Sequence, residues 1–411
     1  MFDNEAKMQE WLESELDKVD GLNDLIENVD YPYEYKPKHP FAKQFQESYQ
    51  RCIKSLDINT IISKNENISL DDKDILKPDI LLYSDESQGL VIIELKNIAN
   101  PTRQVGTELN AYGAELKTHL PFLADGDIYN VIISNNYPTL LKHYITRDVI
   151  WNHKNIICLI PIRKDGKVKL KIVDIDKISS SDIPNHLCND HVFGYQLCLY
   201  DDELYGINPN RHRLDDHIEQ MRTALSVMKT EGTLQGDNGF AFLWKDNWEH
   251  SLAPYSISMF HLSPFGFLER FLHTPNFDGT IASLPKAQQQ FMRILLDESP
   301  DGYTASFDYI TDKSLHFLKS FCNPCVECPN YWMALRDIML ARSQLIAFQG
   351  WGIFDELFNE ALIKSYEDGK IEIPYDCPYL GLEVVENALD SSYEYIDPSF
   401  LSYEDDFFND D

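Results

Sequence analysis

The sequence predicts an α/β protein built in two parts. A mixed-sheet core flanked by helices is expected over residues 1–180, a mainly α-helical, acidic domain over 181–390, and an acidic-aromatic tail over 391–411. Three observations support this division. Apolar spacing is helical up to about residue 55, then gives way to short apolar runs bounded by turn residues. From about residue 210 the helical spacing returns. Charge also shifts along the chain: residues 1–180 hold 22 Lys+Arg against 29 Asp+Glu, whereas 181–411 hold 14 against 38.

Met8, Trp11, Leu12 and Leu16 share one face of a helix over 5–19. Pro40 opens a second helix over 40–55, at a position where its missing N–H is not needed. A strand with polar interruptions is expected over 59–69. The runs PDILLYS (78–84) and LVIIELK (90–96) are joined by Asp85-Glu86-Ser87-Gln88-Gly89, which reads as a hairpin connection. A helix over 101–117, two buried strands at 129–134 and 155–162 with a helix between them, and an alternating outer strand at 167–174 complete the domain. Further on, helices are expected at 212–229, 285–297, 306–320, 331–347 and 353–367, with short strands at 240–244 and 255–260.

Composition limits what such a chain can do. A hydrophobic fraction of 43%, with 22 Tyr, 22 Phe and 6 Trp, excludes disorder throughout. No apolar run reaches the roughly 18 residues of a membrane span, and the start MFDNEAKMQEW lacks the regions of a signal peptide, so a cytoplasmic location is expected. Eight cysteines are too sparse for a disulfide scaffold and read as thiols or ligands. A net charge of −31 makes a poor general polyanion binder. Nucleic acid would have to meet a local patch, and residues 141–180, with 9 basic and 4 acidic side chains, supply one. Lys142, Arg147, Arg163 and Lys164 are its nucleic-acid-binding candidates, weighed against a sheet edge protected by lysines.

The informative stretch is KPDILLYSDESQGLVIIELK. With the turn centred near Ser87, antiparallel pairing sets Asp79 opposite residue 95, give or take one. Glu94 and Lys96 are two apart and share a face at the end of a strand that is apolar on both sides. Two carboxylates and an ammonium then meet at the mouth of a buried sheet, an arrangement that seldom repays its desolvation in stability. Paired carboxylates suit Mg²⁺ or Mn²⁺, and a mobile ammonium beside them suits a phosphoryl transition state.

Pro78-Asp79, fourteen residues, then Glu94-Leu95-Lys96 resembles the signature of the PD-(D/E)xK nuclease superfamily. The helix RQVGTELNAYGAEL is similar to the glutamine-bearing helix that follows the signature in RecB-like members. Gln104 matches its glutamine. Tyr112 lies eight residues on rather than four, with Glu108 at the intermediate turn of the same face. The resemblance implies a restriction-endonuclease-like fold and a Mg²⁺-dependent phosphodiesterase. It implies Asp79 and Glu94 as metal ligands and Lys96 and Gln104 beside them, with Glu5 or Glu47 from a preceding helix as a further ligand. It also implies DNA as substrate. The strongly acidic second half argues against indiscriminate cutting and points to a partner-gated restriction or antiphage effector, and without a P-loop any ATPase or helicase must come from a partner. A catalytically silent nuclease-like module that binds a protein partner is the alternative, and a metal hydrolase acting on other phosphoesters shares the same residues.

Cys322-x-x-Cys325-x-x-Cys328, with Cys377 or His316 as a fourth ligand, has the knuckle spacing of a structural Zn²⁺ site. An iron–sulfur cluster lacks its fourth close cysteine, and ordinary thiols at a helix–loop–helix junction are the remaining reading. His212 and His217 are five apart and do not share a helix face. No nucleophile elbow or P-loop is present.

Overall fold

The computed structural model describes residues 2–38, 40–71, 75–97, 104–179, 187–207, 209–265, 281–298, 304–369 and 373–390. The expected tail at 391–411 lies outside the described residues. The chain divides into two compact units, residues 1–185 and 186–411. Among the described residues, no helix is long and apolar enough to cross a membrane.

The first unit runs α1 (Glu5–Leu16), α2 (Tyr31–Glu34), α3 (Pro40–Ser55), β1 (Asn59–Lys64), β2 (Ile80–Ser84), β3 (Gly89–Lys96), α4 (Gln104–His119), β4 (Ile128–Ser134), α5 (Thr139–Ile150), β5 (Asn155–Lys164), β6 (Lys167–Ile172) and α6 (Ile175–Ile178). Its six strands form one mixed sheet in chain order. β1, β2 and β3 are antiparallel, β3, β4 and β5 are parallel, and β6 turns back antiparallel. The β5–β6 turn holds Asp165 and Gly166 at φ 50° and 78°, the left-handed pair that a tight hairpin requires.

All eight residues of β3 and all seven of β4 are buried, which explains their unbroken apolar runs. α1 buries Met8, Leu12 and Leu16, and both α1 and α4 pack on β3. Asn4 caps α1 by accepting the Lys7 N–H at 2.9 Å. Gly106 lets α4 approach α5: a Cβ there would lie 2.5 Å from Cδ2 of Tyr144.

The second unit corrects the expectation of a mainly helical domain. It contains β7 (Leu187–Cys188), β8 (Val192–Tyr200), α7 (Ile218–Gln235), β9 (Gly239–Asp246), β10 (Tyr255–Leu262), α8 (Lys286–Glu298), α9 (Ala305–Leu318), β11 (Asn323–Tyr331), α10 (Trp332–Arg342), β12 (Ser343–Trp351), α11 (Ile353–Glu367), α12 (Pro378–Ala388) and β13 (Leu389–Asp390). A five-stranded antiparallel sheet, ordered β11-β8-β10-β9-β12, is its centre. The expected helix at 331–347 is α10 followed directly by β12, with no breaker between them to mark the change. β8 escapes a pattern search because eight of its nine residues are buried and do not alternate.

Gly106→Ala is expected to push α4 off α5 and to lower stability by about 1–3 kcal/mol, the range for overpacking. A shift of the urea midpoint with unchanged slope would show it.

Candidate active site

The hairpin register pairs Ile80 with Ile93, so Asp79 falls beside the charged end of β3. There its side chain continues the ladder that the backbone leaves off, Oδ2 accepting the Leu95 N–H at 2.7 Å. Glu94 and Lys96 are 2% and 7% exposed. Lys96 Nζ lies 2.5 Å from Glu94 Oε1 and 3.1 Å from Glu108 Oε2 of α4. Glu5, in the first turn of α1, accepts the Asn97 N–H at 3.1 Å. Asn97 also donates to the Phe2 carbonyl and accepts from Asn135, at the ends of β3 and β4. Tyr112 donates to the Lys77 carbonyl at 2.9 Å, tying α4 to the segment that delivers Asp79.

Glu94 and Glu108 therefore share the Lys96 ammonium, with Asp79 close enough to act on Glu94 and Glu5 close enough to act on Asp79. Burial raises the Glu94 pKa, and the Asp79 charge raises it further against the pull of Lys96. Asp79 is also raised by burial, opposed by the Leu95 N–H and Lys96 and reinforced by Glu5 and Glu108. Burial penalises the Lys96 ammonium, yet Glu94 and Glu108 outweigh it and lift its pKa. The Tyr112 hydroxyl is pushed up by burial and then by the carboxylates of Glu94, Glu108 and Asp79. Glu94 Oε2 is buried and has no hydrogen-bond partner. An orphaned, desolvated carboxylate oxygen costs roughly 1–3 kcal/mol or more, so the pocket is short of positive charge.

The other candidates are distributed differently. Gln104 opens α4, and its side chain lies outside the described residues. Glu47 is half-exposed on α3, 3.9 Å from Lys43 and 3.8 Å from Arg51, and is not part of the cluster. Lys142 follows β4 in α5, and Arg163 and Lys164 end β5, so all three stand at the carboxyl end of the parallel strands, as do Glu94 and Lys96. Lys164 is paired with Glu27. Arg147 occupies the last turn of α5, away from that end. The cysteines do not form a knuckle: Cys325 and Cys328 lie on β11, where extended backbone sets residues three apart at roughly 10 Å. Cys322 precedes the strand and donates to the Leu318 carbonyl. Among the described residues, no group of three or more His, Cys, Asp or Glu stands in position to hold a metal ion, so the expected Zn²⁺ set with Cys377 is not assembled.

Glu108 and Asn97 were the least visible members of the site in the sequence. The signal for Glu108 is its spacing, midway between Gln104 and Tyr112 on one helix face. No family model, curated protein or solved structure matches the chain.

A carboxyl whose pKa is higher folded than unfolded holds its proton more tightly in the folded chain. Stability from Asp79 and Glu94 is therefore complete below the ordinary carboxylate value of about 4 and falls as pH rises towards their folded values. The Lys96 contribution is constant over that window, since it fades only above about 10.4. Glu94→Gln is expected to stabilise the metal-free chain by about 1–3 kcal/mol near pH 8 and to flatten this decline. Thermal melts in chelator across pH would reveal it, and an unchanged or steeper decline would refute it.

Proposed function

We propose that this pocket is the active site of a divalent-metal-dependent nuclease, and that the first unit is a restriction-endonuclease-like core. The observation that carries the reading is the buried, unpartnered Glu94 Oε2, beside Asp79, in a pocket where Glu94 and Glu108 share one ammonium. The donors are hard oxygens at the mouth of a sheet, the set that suits Mg²⁺ or Mn²⁺. Supporting it are the antiparallel β1–β2–β3 meander that runs into parallel β4 and β5, and the position of the carboxylates at the carboxyl end of those strands, where open α/β sheets bind ligands.

Asp79 and Glu94 would hold the ion, and Glu5 acts on Asp79 from the first turn of α1. Each is now turned to a local donor: Asp79 to the Leu95 N–H, Glu94 to Lys96 and Glu5 to the Asn97 N–H. The unpartnered Glu94 Oε2 is the oxygen left for the ion, while Glu94 Oε1 and Glu108 hold Lys96. When bound, the ion supplies charge neutralisation at the phosphate and a more acidic water. Lys96 would direct its ammonium at the attacking water and at the charge that develops on the phosphoryl oxygens. Tyr112 fixes α4 against the Asp79 segment and so keeps Glu108 within reach of Lys96. Arg163, Lys164 and Lys142, at the same end of the sheet, would meet the nucleic acid backbone, with DNA the substrate expected from the resemblance.

Plasmid and oligonucleotide cleavage with Mg²⁺ or Mn²⁺ tests the reading. Lys96→Ala is expected to reduce the rate roughly 10²–10³-fold, and Asp79→Ala at least as much, while Glu47→Ala leaves it near the parent value. Mn²⁺ should raise the unfolding temperature of the parent chain and not of Asp79→Ala. Stabilisation by Mn²⁺ without cleavage would favour a partner-gated enzyme. Neither stabilisation nor cleavage would favour a catalytically silent, protein-binding module.

A further inference from the structure

The cysteine motif of β11 has no place in the site above, but its strand brings it to another cysteine. β11 is an edge strand paired with β8, and the register sets Cys325 directly opposite Cys198. Opposed residues of an antiparallel pair point to the same side of the sheet, with Cα atoms roughly 4.5–5.5 Å apart. That lies inside the range a disulfide spans. Cys325 and Cys328 are three extended residues apart on one strand, too far to be joined. Cys328 follows the irregularity that starts at Glu327, at φ 52°, and has no partner in the β8 register.

The two sulfurs have opposite surroundings. Cys325 is exposed at the edge, its Sγ facing the Val326 carbonyl at 3.8 Å, one χ1 rotation from Cys198. Cys198 is buried and held on several sides. Its S–H donates to Glu327 Oε2 at 3.5 Å, and its sulfur accepts from Gln196 Nε2 at 3.2 Å. Glu327 Oε1 accepts the Tyr200 hydroxyl at 2.6 Å, and Gln196 Nε2 also donates to Ser256 at 3.0 Å, so both neighbours of the sulfur are themselves fixed. Burial, then the Glu327 charge, keeps the Cys198 thiol protonated, its pKa pushed up to about 12.

We propose that Cys198 and Cys325 are a hydroperoxide-oxidised dithiol, in which Cys325 reacts first and Cys198 resolves it into a cross-strand disulfide. The Cys325 thiolate attacks the O–O bond, becomes a sulfenic acid, and one oxygen leaves as water or alcohol. The Cys198 sulfur then attacks the Cys325 sulfur as Glu327 takes the thiol proton. The S–S bond forms, hydroxide leaves, and with that proton it becomes water. Two thiols lose two electrons and the peroxide gains them. The product ties the edge strand β11 covalently to β8.

The test is to treat the full chain with hydrogen peroxide, block remaining thiols, and map peptides without reduction. A linked peptide joining Cys198 to Cys325 is expected, with the loss of two hydrogens. In Cys198→Ser, the Cys325 sulfenic acid should persist and be trapped by dimedone. Glu327→Gln should retain the same linkage but slow its closure at least about 10-fold, the effect of losing a general base. The proposal is overturned if Cys325 remains reduced, proceeds to sulfinic acid with Cys198 free, or pairs with another cysteine. Mapping the parent chain decides this even if a variant fails to fold.

Discussion

The burial of an ion pair at the end of β3 governs the first unit. A strand covered on both faces can be apolar along its length, and β3 is so from Leu90 to Ile93. Glu94 and Lys96 are the residues for which that environment is wrong. Removing either charge from water costs several kcal/mol, and the pair seldom recovers it. Their surroundings are accordingly arranged by several elements. The β2–β3 register delivers Asp79, α4 delivers Glu108, and the first turn of α1 delivers Glu5. Each adds negative charge, so the neighbours worsen the imbalance that β3 creates.

An arrangement built for stability would match the charges. This one sets two carboxylates on one ammonium, places Asp79 beside them and leaves a buried oxygen of Glu94 unpartnered. Burial above all raises the Asp79 and Glu94 pKa values, and the neighbouring carboxylates add to it against the pull of Lys96. In the proposed enzyme a divalent cation would relieve this imbalance without protons, and Glu108 would give Lys96 a second partner beside Glu94.

Much of this was legible in the sequence because the first unit follows simple periodicities. The Asp79–Glu94 pairing came from the hairpin turn, and the shared face of Glu94 and Lys96 from the two-residue period of a strand. The choice between Glu5 and Glu47 was not legible, because it depends on how α1 and α3 pack, and the structure sets Glu5 by Asn97 and Glu47 among surface cations. The second unit was misread for a different reason. β8 is buried on both faces and does not alternate, β11 contains two prolines and is mostly exposed at an edge, and β12 continues from α10 without a breaker. None of the three carries a strand's periodicity. The cysteine spacing, read as a zinc knuckle, fails with them, since a knuckle needs a turn where the chain is extended.

The two sheets also explain why polar chemistry takes different forms in the two units. In the parallel part of the first sheet β3 and β4 are buried throughout, so the Glu94–Lys96 pair stands where β3 ends, and the polar Asn130 inside β4 is held by the Asn155 carbonyl. In the antiparallel second sheet, residues directly opposite share a face, and polar side chains can form a row across strands. Cys325, Cys198 and Ser256 make such a row across β11, β8 and β10, and Glu327, Gln196 and Ser258 make the row beside it, with Trp244 of β9, opposite Ser256, donating to Ser258. The first row is buried under β8 and opens to solvent at β11. An exposed thiol at its outer end and a buried one within follow from that geometry, because depth along the row, rather than any property of the cysteines themselves, makes the two sulfurs different.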